Sequence, residues 1–174
     1  GLTLVLAGRP NAGKSSLLNS LAGNDTAIVT SVAGTTRDVL REKIVLNGLP
    51  LNIVDTAGLR DTDNEIEAEG VRRAWREIEA ADQILFIVDS TQDSVPELES
   101  VWPEFFDRYP NSNQQLTLVL NKIDLSGLAP GAVPGTQKTF AISVKEQTGF
   151  DTLVDHLQKS AGFLGHSEGL FSAR

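Results

Sequence analysis

The sequence predicts an α/β fold: a six-stranded, mostly parallel sheet with one antiparallel strand and helices on both faces. Three observations lead there. Short, continuously apolar runs alternate with segments of helical periodicity, as in a parallel sheet buried on both sides. One Asn-Gly pair, Asn47-Gly48, separates two strand-like runs and makes that pairing an antiparallel hairpin. The first apolar run ends in a glycine-rich turn that opens a helix, the connection expected inside a βαβ unit.

Taken in order, LTLVLAG (2–8) is a buried strand that stops at glycine. Leu17, Leu18 and Leu21 then repeat at helical spacing, and Gly23 ends that helix. Residues 24–36 are polar and rich in Gly and Thr, so they form a loop. DVLREKIVL and LPLNIVD are the hairpin strands. In EIEAEGVRRAWREIEAAD, Ile66, Val71, Ala74, Trp75 and Ile78 share one helical face, with Glu69–Arg73 and Arg73–Glu77 at i,i+4. QILFIVD (83–89) and LTLVLN (116–121) are further strands, separated by a helix from Pro96 to Arg108. Too many Gly and Pro interrupt 125–137 for a helix, so it is expected as loop. TFAISV (139–144) is the last strand, and Phe150, Leu153, Val154 and Leu157 mark a closing helix.

A chain of 174 residues, 40% hydrophobic and 22% charged, has the size and balance of one soluble domain with a real core. No apolar run approaches the ~18 residues that a membrane span requires. The net charge of −8 argues against direct nucleic-acid binding, which needs clustered Lys and Arg. With no cysteine, disulfides and thiolate metal sites are excluded; the expected location is cytoplasmic. The chain opens directly on a strand and closes on HSEGLFSAR, which has little periodicity, so both ends are expected to be cuts from a longer protein.

GRPNAGKS, Gly8 to Ser15, fits G-x-x-x-x-G-K-S between strand and helix, the context a phosphate-binding loop requires. Its glycines let main-chain N–H groups converge on phosphate oxygens, and the helix N-terminus adds positive partial charge. Lys14 reaches the β and γ phosphates, and Ser15 ligates Mg²⁺. The blander alternative is a glycine-rich turn without a ligand. DTAG, Asp55 to Gly58, ends an apolar strand where open α/β sheets bind ligands. Asp55 holds Mg²⁺ through water, and the Gly58 N–H meets the γ phosphate. In GTTRD, Gly34 to Asp38, Thr36 is placed as the second direct Mg²⁺ ligand. NKID, Asn121 to Asp124, ends another strand. An Asp124 carboxylate accepting two N–H bonds suits guanine, whereas adenine would face it with a lone pair. Asn121 ties this loop to the phosphate cradle, Lys122 covers the base, and Ser143, Val144 and Lys145 add backbone contact.

The ordered set GRPNAGKS, GTTRD, DTAG, NKID and SVK, over about residues 2–162, resembles the translation-factor-related GTPases, with a Ras-like P-loop fold. The wording NAGKSSLLNSLAG, AIVTSVAGTTRDVLRE, DTAGLRDTDNEIEAEGVRRAW and WPEF is similar to the G domain of the MnmE (TrmE) family of tRNA-modification GTPases. Val144 departs from that family's usual Ala. The resemblance implies a G domain over 1–162 and a segment, 163–174, leading back to an absent helical domain.

DTAG is followed by Leu59, where other GTPases carry a water-orienting glutamine. For this the resemblance implies a K⁺ ion in place of an arginine finger, with Asn11, Thr30, Val32 and Thr35 as ligands. It implies Glu67 as the catalytic carboxylate acting through water, beside Lys14 and Gly58. Read without the resemblance, Glu67 is a surface acid at a helix N-terminus. The implied nucleotide contacts are Asn11, Ala12, Gly13, Lys14, Ser15, Ser16, Thr30, Ser31, Val32, Ala33, Gly34, Thr35, Thr36, Asp55, Thr56, Ala57, Gly58, Asn121, Lys122, Asp124, Ser143, Val144 and Lys145. Expected partners are GTP and GDP, a second G domain and, in the full-length protein, MnmG and tRNA. The alternatives are a ribosome-assembly GTPase of the Era or EngA type and a nucleotide-dependent switch with negligible hydrolysis.

Overall fold

The computed structural model describes residues 2–9, 11–23, 40–46, 48–56, 65–92, 100, 102–110, 115–135 and 138–160, with backbone alone at 40–42, 65–68, 70 and 115. Among these residues the strands are β1 (Leu2–Gly8), β2 (Leu40–Leu46), β3 (Leu49–Asp55), β4 (Gln83–Asp89), β5 (Gln115–Asn121), β6 (Gly131–Ala132) and β7 (Thr139–Ala141). The helices are α1 (Lys14–Ala22), α2 (Glu65–Ala80), α3 (Pro103–Arg108), α4 (Ile123–Ser126) and α5 (150–160).

The sheet runs β2-β3-β1-β4-β5-β7-β6. β3, β1, β4, β5 and β7 are parallel neighbours, and β2 and β6 run antiparallel along the two edges. The hairpin register ends at Leu46↔Leu49. Gly48 has φ 85°, a backbone that suits glycine and a hairpin of this length.

Both faces of the sheet are packed. Leu2, Leu4 and Leu6 of β1 point to one side, where Leu17, Leu18 and Leu21 of α1 and Leu153 and Leu157 of α5 meet them. Val5 and Ala7 point to the other, against Trp75 and Ile78 of α2 and Trp102 and Phe105 beside α3. The period-two alternation of β1 thus becomes two hydrophobic layers. It also puts the helix after β1 and the helix after β3 on opposite faces, which opens a crevice at the carboxyl ends of those neighbouring strands.

Four expectations need revision. The sheet has seven strands among the described residues, not six, and two antiparallel pairs, not one. The extra strand, β6, falls where Gly and Pro argued for loop over 125–137, and the single-turn α4 ends inside that stretch. The strand expected over 139–144 stops at Ala141, after which Ser143 pairs with Thr148 in an isolated bridge. The helix expected over 96–108 does not run through Trp102, whose φ −137° and ψ 73° lie outside the helical region; Pro103 disfavours α conformation at the residue before it and starts α3. Residues 96–99 lie outside the described residues.

Candidate active site

Parallel pairing brings the carboxyl ends of β1, β3, β4 and β5 to one end of the sheet. Leu6 is level with Asp55, Gly8 with Ile87, and Asp89 with Asn121. After β1 the Arg9 N–H donates to the Ile87 carbonyl at 3.2 Å, and the chain turns through Asn11, φ 63°, and Gly13, φ 100°. Helix α1 begins at Lys14 with no side-chain cap and no acid in its first turn. Its first N–H groups are therefore left to a ligand or to water.

Lys14 Nζ lies 2.7 Å from Asp55 Oδ1 at the end of β3. Oδ1 is buried and, despite this ion pair, makes no hydrogen bond within the structure. Ser15 and Ser16 are exposed at the mouth of the turn. A cavity of about 1060 Å³ extends from the Gly8–Ser16 turn past Thr56 to Trp75, Trp102 and Arg108. The Thr56 hydroxyl itself donates to the Leu6 carbonyl at 2.9 Å, which ties the end of β3 to β1. The Asp55 carboxylate and the Ser15 hydroxyl are hard oxygen donors, the chemistry that suits a cation such as Mg²⁺.

The second half of the site follows β5. Asn121 is buried; its Nδ2 donates to the Ala12 carbonyl at 2.9 Å, and its Oδ1 accepts from the Val144 N–H at 3.0 Å. Lys122 takes a left-handed conformation, φ 70°, and its ammonium donates to the Asn11 carbonyl at 2.8 Å. Ser143 Oγ donates to Asp124 Oδ1 at 2.8 Å and accepts the Glu146 N–H at 3.0 Å. Asp124 and Lys145 are exposed. Side chains of the NKID loop thus hold Asn11 and Ala12 of the phosphate turn and the Val144 N–H, while Ser143 holds Asp124.

Thr30, Ser31, Val32, Ala33, Gly34, Thr35, Thr36, Ala57, Gly58 and Leu59 lie outside the described residues, as does the segment 163–174. Glu67 belongs to the first turn of α2, with its side chain outside the described residues.

Sequence reasoning missed Asp89. Its Oδ2 accepts from Lys122 Nζ at 2.9 Å, and its Oδ1 accepts from the Thr91 N–H at 2.8 Å and the Thr91 hydroxyl at 2.6 Å. The Thr91 hydroxyl chiefly lowers the Asp89 pKa; burial opposes this, and Lys122 adds to it. The signal was available: an acid ends the apolar run QILFIVD, beside the strand that ends in NKID.

Residues 3–122 match the family model described as "50S ribosome-binding GTPase". The chain belongs to this GTPase family. It is 53% identical to the tRNA modification GTPase MnmE of Pectobacterium atrosepticum and 54% identical to that of Aeromonas hydrophila, over its whole length in each case. It spans 38% of the length of those curated relatives. Among solved structures, Aquifex aeolicus Era bound to GDP·AlF4⁻ is similar at TM-score 0.66 and 28% identity, over 91% of this chain and 56% of that one. The G domain of the T. maritima FeoB iron transporter shares the fold at TM-score 0.59 and 20% identity, over 92% of this chain and 98% of that one. The GTPase domain is therefore much nearer in sequence to MnmE than to Era.

Proposed function

We propose that this domain hydrolyses GTP with K⁺ stimulation, pairs with a second G domain through its nucleotide face, and drives tRNA wobble-uridine modification in a longer protein. The observation that carries the nucleotide reading is Asn121, which joins the NKID loop to the GKS turn and to the SVK segment. The MnmE likeness over the whole chain supports the cellular role. In this reading residues 1–162 are the G domain, residues 163–174 lead to a helical domain, the partners are MnmG and tRNA, and the location is cytoplasmic.

Asp124 accepts the two guanine N–H groups, while Lys122 covers the base. The Gly8–Ser15 turn holds the phosphates on its N–H groups, and Lys14 leaves Asp55 to neutralise the β and γ oxygens. Ser15, Thr36 and, through water, Asp55 hold Mg²⁺, which when bound draws charge from the phosphates. Asn11, Thr30, Val32 and Thr35 hold K⁺, which when bound offsets charge developing on the transferred group, a contribution for which an arginine is worth ~10³–10⁵ in rate. Glu67 aligns the attacking water, in place of the side chain that Leu59 does not offer. Gly58 donates its N–H to the γ phosphate.

GTP turnover in K⁺ and in Na⁺ at equal ionic strength tests the reading. Faster turnover in K⁺ is expected; equal rates would remove the ion from the mechanism. Glu67→Ala should lower turnover by about 10²–10⁴-fold with nucleotide affinity retained, and unchanged turnover would remove Glu67 from its role.

A further inference from the structure

We propose that Asp89 is a positioning residue for guanine-nucleotide binding: it holds the Lys122 ammonium against the Asn11 carbonyl and so locks the base-reading loop to the phosphate loop. The inference rests on the guanine-nucleotide reading above. It goes beyond it, because Asp89 belongs to none of the motifs from which that reading was assembled.

Asp89 ends β4, level with Asn121 on β5. Its carboxylate is held at both oxygens. Thr91 fixes Oδ1 through its N–H and hydroxyl, which leaves Oδ2 aimed at Lys122 Nζ, 2.9 Å away. The same ammonium donates to the Asn11 carbonyl at 2.8 Å. One cation thus joins two residues, Asn11 at φ 63° and Lys122 at φ 70°, that both take left-handed backbone. Such conformations are costly for residues with a side chain and persist where their surroundings fix them. The pair is also shielded, with side chains 16% and 32% exposed, unlike the surface ion pairs that contribute little.

The arrangement runs beside a second tie. Asn121 holds the carbonyl of Ala12, the next residue along the phosphate loop. The NKID loop therefore grips two consecutive carbonyls, one through a neutral amide and one through an ammonium. Without the Asp89 charge, that ammonium is drawn toward water, and both Asn11 and the lysine stem over the base lose their fixed position.

A purely local role, shaping the turn after β4 through Thr91, predicts something different. The two are separated by titrating the 174-residue chain with GDP and Mg²⁺ in a calorimeter, with thermal melts confirming that each variant is folded. Asp89→Asn should weaken GDP about 10- to 150-fold, the range expected for loss of a charge-assisted hydrogen bond. Asp89→Glu should recover part of that loss, and Thr91→Val, which keeps the N–H on Oδ1 and the Asp89 charge, should lose clearly less than Asp89→Asn. Because Asp89 acts through Lys122, Asp89→Asn should cost nothing further in a Lys122→Ala background. Wild-type affinity in folded Asp89→Asn, multiplying losses in the double variant, or an equal loss in Thr91→Val would each overturn the proposal. A folded wild-type chain that does not bind GDP would instead overturn the guanine reading, and this proposal with it.

Discussion

Asn121 Nδ2 donates to the carbonyl of Ala12 at 2.9 Å, across 109 residues of chain. The same side chain accepts the Val144 N–H through its oxygen, so a single buried amide closes two loops at once. Its two ends have opposite polarity, and each partner needs the end it receives. Asn121→Ala leaves the Ala12 carbonyl and the Val144 N–H without their partner, at about 1–3 kcal/mol for each buried group. We expect a loss of about 2–4 kcal/mol in urea unfolding and at least a tenfold loss of GDP affinity by calorimetry. An Asn121→Ala chain with wild-type affinity would show that the amide braces the fold alone.

Gly13 is constrained by the same amide. Its φ of 100° is a backbone that residues with side chains rarely adopt, and a Cβ placed there would collide with Asn121 Nδ2. Gly23, at φ 80°, has open space around it among the described residues. Gly23→Ala therefore meets backbone strain alone, about 1–2 kcal/mol. Gly13→Ala adds displacement of Asn121, so its unfolding free energy should fall further and its GDP affinity should fall with it. Equal losses in the two variants, read by denaturation and calorimetry, would show that the Asn121 contact is soft.

Much of this end of the sheet was legible in the sequence because backbone requirements are written in residue types. Gly13, Gly48 and the apolar runs of β1, β4 and β5 each admit few conformations, and each lies where the pattern placed it. Asn121, Lys122 and Ser143 were singled out by the order of their motifs, and their side chains make the hydrogen bonds of this end of the sheet. Asp89 was not, because its partner is 33 residues away and the ion pair forms only once β4 and β5 are in register. The break in the helix expected up to Arg108 was missed for a different reason; Ser100 before it is helical. Apolar spacing continues across Trp102-Pro103, and the restriction that proline imposes on its predecessor outweighs periodicity there. β6 escaped because its pairing with β7 is tertiary, and two residues carry no period.

Trp102 shows what that interruption produces. Released from helical conformation, its ring is buried between Trp75, at a centroid distance of 5.5 Å, and Phe105, at 5.1 Å, with Phe86 also at 5.1 Å. Arg108 covers the outer face of this cluster, 4.5 Å over the Trp75 ring. Trp102→Ala removes a ring that packs α2 against the sheet and α3, and should cost about 3–5 kcal/mol. Trp102→Phe keeps a ring in place and should cost less than half as much. Because Trp75 is then the chain's remaining tryptophan, its emission in the Phe variant reports unfolding of this layer directly. Urea midpoints for Trp102→Ala within error of wild type would show that the cavity walls close without loss.

His156 gives the opposite face of the sheet a pH dependence. It lies on α5, with its ring 4.7 Å from that of Phe140 and its Nε2 hydrogen-bonded to the buried Thr117 hydroxyl at 3.2 Å. Burial holds its pKa below the ordinary 6.5; the Lys138 charge lowers it further, and Asp155 partly offsets both. The unfolded imidazole therefore takes up its proton at higher pH than the folded one. Above about pH 6.5 both forms are neutral and the residue adds no pH dependence. As pH falls from there toward the folded pKa, the unfolded state binds more protons and stability drops; below the folded pKa the loss levels off. His156→Gln retains a polar group for Thr117 and does not titrate. Between pH 7.5 and 5 the wild type should lose more unfolding free energy than His156→Gln, measured by urea denaturation at fixed ionic strength. Parallel curves for the two chains would mean that the imidazole charges in the folded state as readily as in the unfolded one.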